Sequence, residues 1–243
     1  MPSLKDLKIR IESVKSTRKI TNAMQMVAAA KLRRVQEAAV QSRPYADRFN
    51  LVMGKLASSV GDSESAPKLL RGTGSDQTHL LVVLTAERGL CGGFNSNIAK
   101  LARNEANELL AAGKTVKIIT VGKKGRDAIK RDLGDYIVHH VDLSEVKNVG
   151  YANAQEVATD VLDRFNAGEF DVAKIFYSKF HNVVSQEPTM LQVIPADVGG
   201  SEEDSDNAVF YDYEPDEDAI LRELLPRGVA TAIFSGLLEN GAS

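Results

Sequence analysis

Apolar side chains recur at alternating steps of three and four residues along the first 56 residues of the chain. This spacing is typical of a coiled-coil seam and predicts one long helix from Met1 to Leu56. Ser3 can cap its first turn together with Asp6, three residues later. Pro44 is expected to bend the helix or remove one backbone hydrogen bond without ending it, because the pattern continues beyond it. The seam positions are Leu4, Leu7, Ile11, Val14, Ala28, Leu32, Val35, Ala39, Ala46, Phe49, Met53 and Leu56.

The seam is interrupted in the middle of this predicted helix. Polar Arg18, Thr21 and Gln25 occupy seam positions, while the apolar residues of segment 20–30 lie on other faces. A helix that is apolar on nearly all sides is expected to be buried on all sides. At about 1.5 Å per residue the helix would span roughly 80 Å, which is more than a domain of this size can cover. Part of it is therefore predicted to lie outside its own domain and inside another protein.

Polar residues separate the long helix from an alternation of strand and helix patterns. Residues 57–77 are rich in Ser, Gly, Pro and Asp, and we interpret them as a linker. Residues 78–214 have the pattern of an open α/β domain with a largely parallel sheet. The short connection at 181–188 indicates that the last strand is antiparallel. A final helix is expected in residues 215–243, where Pro226 could interrupt it. The predicted strands are 79–85, 115–121, 136–141, 171–180 and 189–194, and the predicted helices of the domain are 97–111, 124–133 and 153–165, the last capped by Asn153.

The composition is typical of a soluble protein, with 43% hydrophobic and 26% charged residues. No apolar run in the sequence is long enough for a membrane span, and the first residues do not have the pattern of a secretory signal. The single cysteine, Cys91, excludes a disulfide within one chain and indicates a reducing compartment.

The charges are distributed unevenly along the chain. Residues 1–56 carry twelve basic and four acidic side chains, whereas residues 197–218 carry ten acidic side chains and no basic one. A basic rod suggests an acidic partner, which could be nucleic acid, an anionic surface or acidic loops of another protein. A solvated helix face is the alternative interpretation of the same charges.

Glycines cluster directly after the first predicted strand, where dinucleotide-binding folds place their phosphate loop. Their spacing fits neither the Rossmann fingerprint nor the P-loop, and no acidic residue stands near the end of the second strand to hold a ribose. We interpret the segment as a turn that packs helix against sheet or contacts a partner, with a nucleotide site as the alternative. The residues of this turn are Arg88, Gly89, Leu90, Cys91, Gly92 and Gly93.

The sequence gives little support for other chemistry. Cys91 as a nucleophile would need a nearby base, and no spacing links it to any of the four histidines. The histidines do not have metal-ligand spacing, and the acidic segment 202–206 lacks the glycine and glutamate of a calcium loop. We therefore predict no catalytic, cofactor-binding or metal-binding residue and favour a mechanical or binding role. A nucleotide-dependent α/β enzyme and a basic coiled-coil adapter for nucleic acid remain as alternatives.

Three segments resemble hallmarks of the γ subunits of F-type ATP synthases. They are ITNAMQMVAAAKLR at 20–33, ERGLCGG at 87–93 and YEPD at 213–216. They occur in the order and at the spacing found in that family, and the resemblance covers essentially the whole chain. Because the chain begins without a leader and lacks the cysteine-pair insertion of the chloroplast form, it resembles the bacterial type.

The resemblance implies a non-catalytic central rotor shaft in a proton-transporting complex. The N- and C-terminal helices of the family form an antiparallel coiled coil inside a ring of three α and three β subunits. The open, largely parallel α/β (Rossmann-like) domain lies at the foot of the shaft, on the c-ring and beside the ε subunit. Rotation would couple proton flow to ATP synthesis or hydrolysis at the β subunits. The implied location is peripheral, in the F1 sector at the cytoplasmic face of the bacterial inner membrane, without a cofactor or nucleic acid.

The resemblance also assigns three contact surfaces. The turn at 88–93 would face a partner, and the foot contacts to ε and the c-ring would be Tyr211, Tyr213 and Glu214. In the family the C-terminal helix continues much further, whereas residues 216–243 would cover only about 40 Å of the seam. We expect this chain to be truncated there. The implied contacts to the α and β subunits are Arg10, Ile20, Met24, Met26, Val27, Lys31, Arg33 and Arg34.

Overall fold

The computed structural model of the chain describes residues 3–60, 66–196 and 217–243, without the side chains of 55, 57–60, 217 and 218. Its first helix, α1, runs from Leu4 to Val60, four residues beyond the predicted end. The predicted cap is present, since Ser3 Oγ accepts from the backbone N–H of Asp6 at 3.3 Å and the Asp6 carboxylate accepts from Ser3 N at 3.1 Å. Pro44 lies inside α1 and does not end it.

Five strands form one sheet in the order β3-β2-β1-β4-β5. Neighbouring strands are parallel except β4 and β5, which form the predicted antiparallel pair. β1 is an almost fully buried apolar run, as expected of a central strand covered on both faces. The strands are β1 (Thr78–Leu84), β2 (Thr115–Val121), β3 (Ile137–Val141), β4 (Val172–Phe180) and β5 (Gln186–Ile194).

Helices cover both faces of this sheet. α3 and α4 bury their apolar sides on one face, and α5 and α6 bury theirs on the other. A short 3-10 helix, Gly134–Tyr136, follows α4. The helices after α1 are α2 (Lys68–Arg71), α3 (Phe94–Ala111), α4 (Lys123–Leu133), α5 (Tyr151–Asn166) and α6 (Glu217–Ala242).

Three local predictions were wrong. The predicted linker at 57–77 contains the end of α1 and the whole of α2, because Leu69 and Leu70 pack against the α1–α6 contact. Asn153 is not the capping residue of α5: the helix begins at Tyr151, and the Asn153 side chain accepts from Gly150 N at 3.0 Å. Pro226 does not break α6. Pro226 is the tenth residue of α6, where it removes one backbone hydrogen bond without ending the helix.

α6 lies between α1 and the sheet and runs antiparallel to α1. Met53 and Leu56 of α1 pack on Leu221 and Leu225 near the start of α6. Later residues of α6 contact earlier residues of α1, and the last of these contacts is between Gly241 and Val35. The opposite side of α6 joins the core of the sheet through Val229, Ile233 and Leu237. The predicted antiparallel helix pair is thus present over the second half of α1.

α1 leaves the domain at the carboxyl ends of the parallel strands. Arg43 Nη2 lies 2.7 Å from the carbonyl oxygen of Phe180, the last residue of β4. Met53 and Leu56 pack near Ala196, which follows β5. Because β5 is antiparallel, it ends beside the amino ends of the parallel strands. The residues of α1 that precede the α6 contact therefore extend beyond the carboxyl ends of the parallel strands. These ends are called the carboxyl edge below.

Candidate functional site: a projecting helix and an exposed turn

The N-terminal half of α1, residues 3–34, projects from the domain and is called the projecting segment below. Every residue from 3 to 31 is exposed. Nine large apolar side chains in this stretch are between 43% and 71% exposed. So many exposed large apolar side chains on one helix segment are typical of a protein contact site. These side chains are Leu4, Leu7, Ile9, Ile11, Val14, Ile20, Met24, Met26 and Val27.

Between residues 20 and 27, the exposed apolar side chains lie on more than one face of the helix. Ile20, Met24 and Val27 follow one another at steps of four and three, so they share one face. Met26 points in a different direction and is 68% exposed. A partner that covers all four side chains must contact the helix from more than one side.

The projecting segment is also strongly basic, with nine basic and two acidic side chains among residues 3–34. Arg10, Lys31, Arg33 and Arg34 are all exposed. Arg33 Nε lies 3.3 Å from Glu37 Oε1, and both side chains are mostly exposed. An exposed ion pair of this kind contributes less than about 1 kcal/mol, so Arg33 can exchange Glu37 for another acidic group at little cost.

The second exposed feature is the turn Arg88–Gly93, called the glycine turn below. Leu90 adopts a left-handed backbone conformation, with φ at +65°, and its side chain is 95% exposed. A positive φ is strained for a leucine, and the exposed side chain contributes no packing within the chain. Gly92 follows with φ at +58°. The turn thus presents an apolar side chain to the surroundings at a conformational cost.

The glycine turn is held by side chains on both of its flanks. Asn95 Oδ1 accepts from Ala86 N at 2.9 Å, and its Nδ2 group donates to Arg88 O at 3.3 Å and to Cys91 Sγ at 3.0 Å. The Glu87 carboxylate accepts from Lys123 N at 3.0 Å and from Leu143 N at 2.7 Å, which links the turn to the loops after β2 and β3. The turn therefore has a fixed position at the carboxyl edge, the same edge from which α1 projects.

A nucleotide site in the α/β domain is disfavoured by the position of α6. Strands are added on opposite sides of β1, and ligands of such folds bind in the crevice at this switch point, here between β1 and β4. Asn240 of α6 fills that place: its Nδ2 donates to Leu84 O at 3.0 Å, and its Oδ1 accepts from Ser178 N at 2.7 Å. A Cβ on Gly236 would lie 2.9 Å from Leu84 Cδ1, so the helix backbone is in close contact with the strand.

In the described part of the chain, Cys91 Sγ has hydrogen-bond contacts with Arg88 and Asn95 and with no histidine. His79 lies near the start of β1, at the opposite end of the strand from the glycine turn. His139, His140 and His181 contact Asp160, Thr120 and Glu187 at 2.7, 2.9 and 2.9 Å. Among residues 3–60, 66–196 and 217–243, no group of three or more His, Cys, Asp or Glu side chains could hold a metal ion. In the same ranges, no helix is both long and apolar enough to cross a membrane.

The predicted foot contacts lie outside the described residues. Tyr211, Tyr213 and Glu214 belong to the undescribed range 197–216, together with most of the acidic segment 197–218.

A further cluster at the carboxyl edge was not predicted from the sequence. Arg43 of α1 and Glu239 of α6 form an ion pair there, 196 positions apart in the chain. Its hydrogen bond to Glu239 is the main cause that raises the pKa of Arg43, and burial raises the pKa of neighbouring Tyr177, with a second contribution from the Glu239 charge. The only local signal was an arginine beside Pro44 in the seam region, which does not identify a partner.

An α/β domain with a projecting helix that exposes both basic and apolar side chains defines a class of proteins that contact a partner through a helix. A family profile described as ATP synthase matches residues 3–243. The ATP synthase gamma chain of Ruegeria pomeroyi is 73% identical over the full chain and 83% of its own length, and that of Dinoroseobacter shibae is 70% identical over the same shares. This chain belongs to the family of ATP synthase gamma chains.

Two solved structures have the same fold. The central stalk and c-ring structure of the Tetrahymena thermophila mitochondrial ATP synthase contains a chain with a TM-score of 0.67 and 22% identity, covering 92% of this chain and 93% of that one. The rotor structure of the Euglena gracilis enzyme contains a chain with a TM-score of 0.62 and 20% identity, covering 96% and 83%. At this level of identity the comparison establishes the fold, an α/β domain carrying a long helix pair.

Proposed function

We propose that this chain is the central rotor shaft of a bacterial F-type ATP synthase. The observation that carries the proposal is the projecting segment, whose apolar side chains are exposed on more than one face. An apolar surface that surrounds a helix is stable in water only when other protein encloses it. The 73% identity to a gamma chain supports a sleeve formed by three α and three β subunits around one copy of this chain.

In this role the chain acts as a rotating ligand of the β subunits and has no catalytic residue of its own. A ligand shifts a conformational equilibrium only by its difference in affinity for the two states. The projecting segment must therefore make different contacts with each β subunit around the ring. The distribution of its side chains supports this, because Met24 and Met26 face different directions and present different surfaces to the surrounding subunits.

The basic groups Arg10, Lys31, Arg33 and Arg34 are proposed to face acidic loops of the α and β subunits. Exposed charges contribute more to orientation and to the rate of contact than to affinity. Contacts that form and break during rotation need this property, since a very stable contact at one angle would stop the shaft. The weak pair between Arg33 and Glu37 fits such exchange.

The glycine turn is proposed as a second contact with the α and β subunits, because it lies at the edge of the sheet from which α1 projects. The ε subunit and the c-ring are proposed to bind the domain, with Tyr211, Tyr213 and Glu214 as contacts. The chain would then lie at the cytoplasmic face of the inner membrane, attached to it only through the complex.

Native mass spectrometry of the chain co-expressed with α and β subunits from the same organism tests this proposal. We expect a species with three α subunits, three β subunits and one copy of the chain. Lys100→Glu, a charge reversal on an exposed residue of α3, is the control and should assemble normally. A chain that remains alone in every preparation would contradict the shaft function. Retention of the free chain on DNA in a salt-dependent manner would instead favour the nucleic-acid alternative.

A further inference from the structure

Three elements of the fold meet at one ion pair where α1 leaves the domain. Arg43 Nε lies 2.9 Å from Glu239 Oε1, and Arg43 Nη2 lies 3.0 Å from Glu239 Oε2. The same Nη2 donates to the carbonyl oxygen of Phe180 at 2.7 Å, while Phe180 N donates to Glu239 Oε2 at 2.8 Å. α1, α6 and the end of β4 are therefore joined in a closed ring of four hydrogen bonds, called the junction below.

The geometry of the junction restricts rotation as well as separation. Glu239 is only 7% exposed, and a buried carboxylate is stable only when its oxygens are hydrogen-bonded. A planar guanidinium that binds a carboxylate through two nitrogens fixes the angle between the two groups. The contact of Arg43 with Phe180 adds a third fixed point outside the helix pair. The hydrophobic effect between two helices, in contrast, is itself non-directional, so it sets their relative angle less sharply than these hydrogen bonds do.

The next residue of α6 anchors the same place to the sheet. The Asn240 side chain bonds to Leu84 O of β1 and to Ser178 N of β4, at 3.0 and 2.7 Å. β1 and β4 are paired as far as Val83 and Phe176, so the Asn240 amide connects the two strands just beyond their ladder. Residues 239 and 240 thus connect α1 to the two central strands of the sheet.

We propose that the junction of Arg43, Glu239 and Phe180 is the torsional joint of the molecule, through which the α/β domain holds the angle of the projecting segment. This inference rests on the proposed shaft function, because resistance to twist matters for a helix that transmits rotation. Arg43 and Glu239 act as positioning residues, since they set the angle at which other side chains meet the surrounding subunits.

Distance measurements between spin labels on the full chain test the joint without the complex. One label is attached at Ala29→Cys on the projecting segment and the other at Lys100→Cys on α3, in a Cys91→Ser background; positions 29 and 100 are exposed. We expect Arg43→Met and Glu239→Gln to broaden the distance distribution roughly twofold, because the directional bonds are lost while the apolar contact remains. Arg43→Lys keeps the charge but not the forked geometry, and should give an intermediate width.

The matched control is Arg227→Gln, which breaks another ion pair of α6. Arg227 Nη2 lies 2.6 Å from Glu223 Oε1, but the pair is exposed and lies within one helix. This control should leave the distribution unchanged. The proposal would be overturned if all variants gave distance distributions of equal width. It would also be overturned if the junction variants had lower melting temperatures but no broader distributions. If Arg43→Met does not fold, Arg43→Lys and the control still decide the question.

A second measurement separates the joint from the shaft function. Complexes assembled with α and β subunits carry a probe on the α/β domain, and the thermal spread of its angle is recorded while the ring is held still. Arg43→Lys is expected to increase the angular variance roughly twofold over wild type and Arg227→Gln. An unchanged variance would overturn the joint and leave the shaft function intact. If wild-type chain does not assemble, the shaft function fails while the spin-label result still tests the joint.

Discussion

The two halves of α1 share one sequence pattern but differ in their surroundings. In residues 35–56, called the embedded segment below, Ala39, Met53 and Leu56 are at most 4% exposed against α6 and its neighbours. In the projecting segment, Leu4 and Met24 occupy the same helix and are 71% and 51% exposed. The spacing of apolar residues therefore predicts an interface but does not identify the protein surface that fills it.

The difference shows how one helix can serve two contacts. The embedded segment obtains its stability within the chain, because α6 covers it and connects it to the sheet. The projecting segment has apolar residues on more faces than a two-helix seam uses, and it carries most of the basic charge of α1. A surface with these two properties suits a surrounding partner better than a single helix.

The largest difference between the halves is expected on truncation of a seam leucine. Leu56 is fully buried, so Leu56→Ala should reduce the free energy of unfolding by about 2–5 kcal/mol through lost burial and a cavity. Leu4→Ala, the matched change in the projecting segment, should alter it by less than about 0.5 kcal/mol. Chemical denaturation of the free chain measures both. Equal losses would contradict the division of α1 into two regions.

A charge introduced into the projecting segment should weaken binding to partner subunits without changing the stability of the free chain. Met24→Glu is expected to leave the melting temperature of the free chain unchanged, because the side chain is exposed there. Its affinity for a complex of α and β subunits should fall at least about tenfold, or 1.4 kcal/mol, since a charge would be buried on assembly. Lys100→Glu serves as the control for charge alone. Unaltered affinity of Met24→Glu would show that the sleeve does not contact this position.

Acid should weaken the domain that holds the embedded segment before it affects the projecting one. The Asp171 carboxylate accepts from Thr73 Oγ1, Ser75 Oγ, Gln77 N and Thr78 N at 2.6–3.1 Å. Burial alone would raise its pKa, but these hydrogen bonds together hold the pKa below its ordinary value. The ionised group therefore stabilises the fold above the ordinary pKa of about 4, and this contribution is lost as pH falls through the lowered folded value.

Asp171→Asn should accordingly cost about 1–2 kcal/mol near neutral pH, because an amide cannot accept all four bonds. Thermal melting at a series of pH values should show the difference from wild type shrinking below about pH 4. Asp135→Asn, at an exposed aspartate, is the control. A difference that stays constant down to the lowest pH would contradict the assignment.

The smallest effect is expected at the close approach between α1 and α6. A Cβ on Gly241 would lie 2.7 Å from Val35 Cγ1, so Gly241→Ala crowds the seam. The cost of overpacking is offset in part by the higher helix propensity of alanine, leaving a net loss of about 1 kcal/mol or less. Val35→Ala should relieve the crowding, so the double variant should be no less stable than Val35→Ala alone. Additive losses would show that the cost of Gly241→Ala does not come from contact with Val35.

Much of the fold could be predicted because local patterns decide it. β2 has the predicted bounds, 115–121, since a continuous apolar run between two polar turns leaves little choice of register. The pattern also predicted α1 as a continuous helix through Pro44 and the antiparallel β5, and it predicted that part of α1 lies outside its own domain. Errors arose at helix ends, where one side chain decides the boundary: Asn153 can accept from the backbone equally well as a capping residue or three positions inside the helix.

The contacts between distant residues could not be predicted. Arg43 and Glu239 are each ordinary charged residues of a helix in the sequence, and their pairing depends on how α6 lies across the sheet. Asn240 likewise bonds to two strands only because α6 ends at the switch point. No local pattern encodes such contacts, since they are set by tertiary packing. The glycine turn was predicted as a partner-facing surface, and this stays a prediction although Leu90 is 95% exposed.

The central claim is that the projecting segment turns inside a sleeve of α and β subunits. The most direct test fixes the α and β subunits to a surface and attaches a visible probe to the domain at Lys100→Cys in a Cys91→Ser background. On addition of ATP we expect the probe to rotate in one direction and to pause at about three angles per turn, one for each β subunit. ATP hydrolysis with a stationary probe, or rotation without preferred direction, would contradict the account.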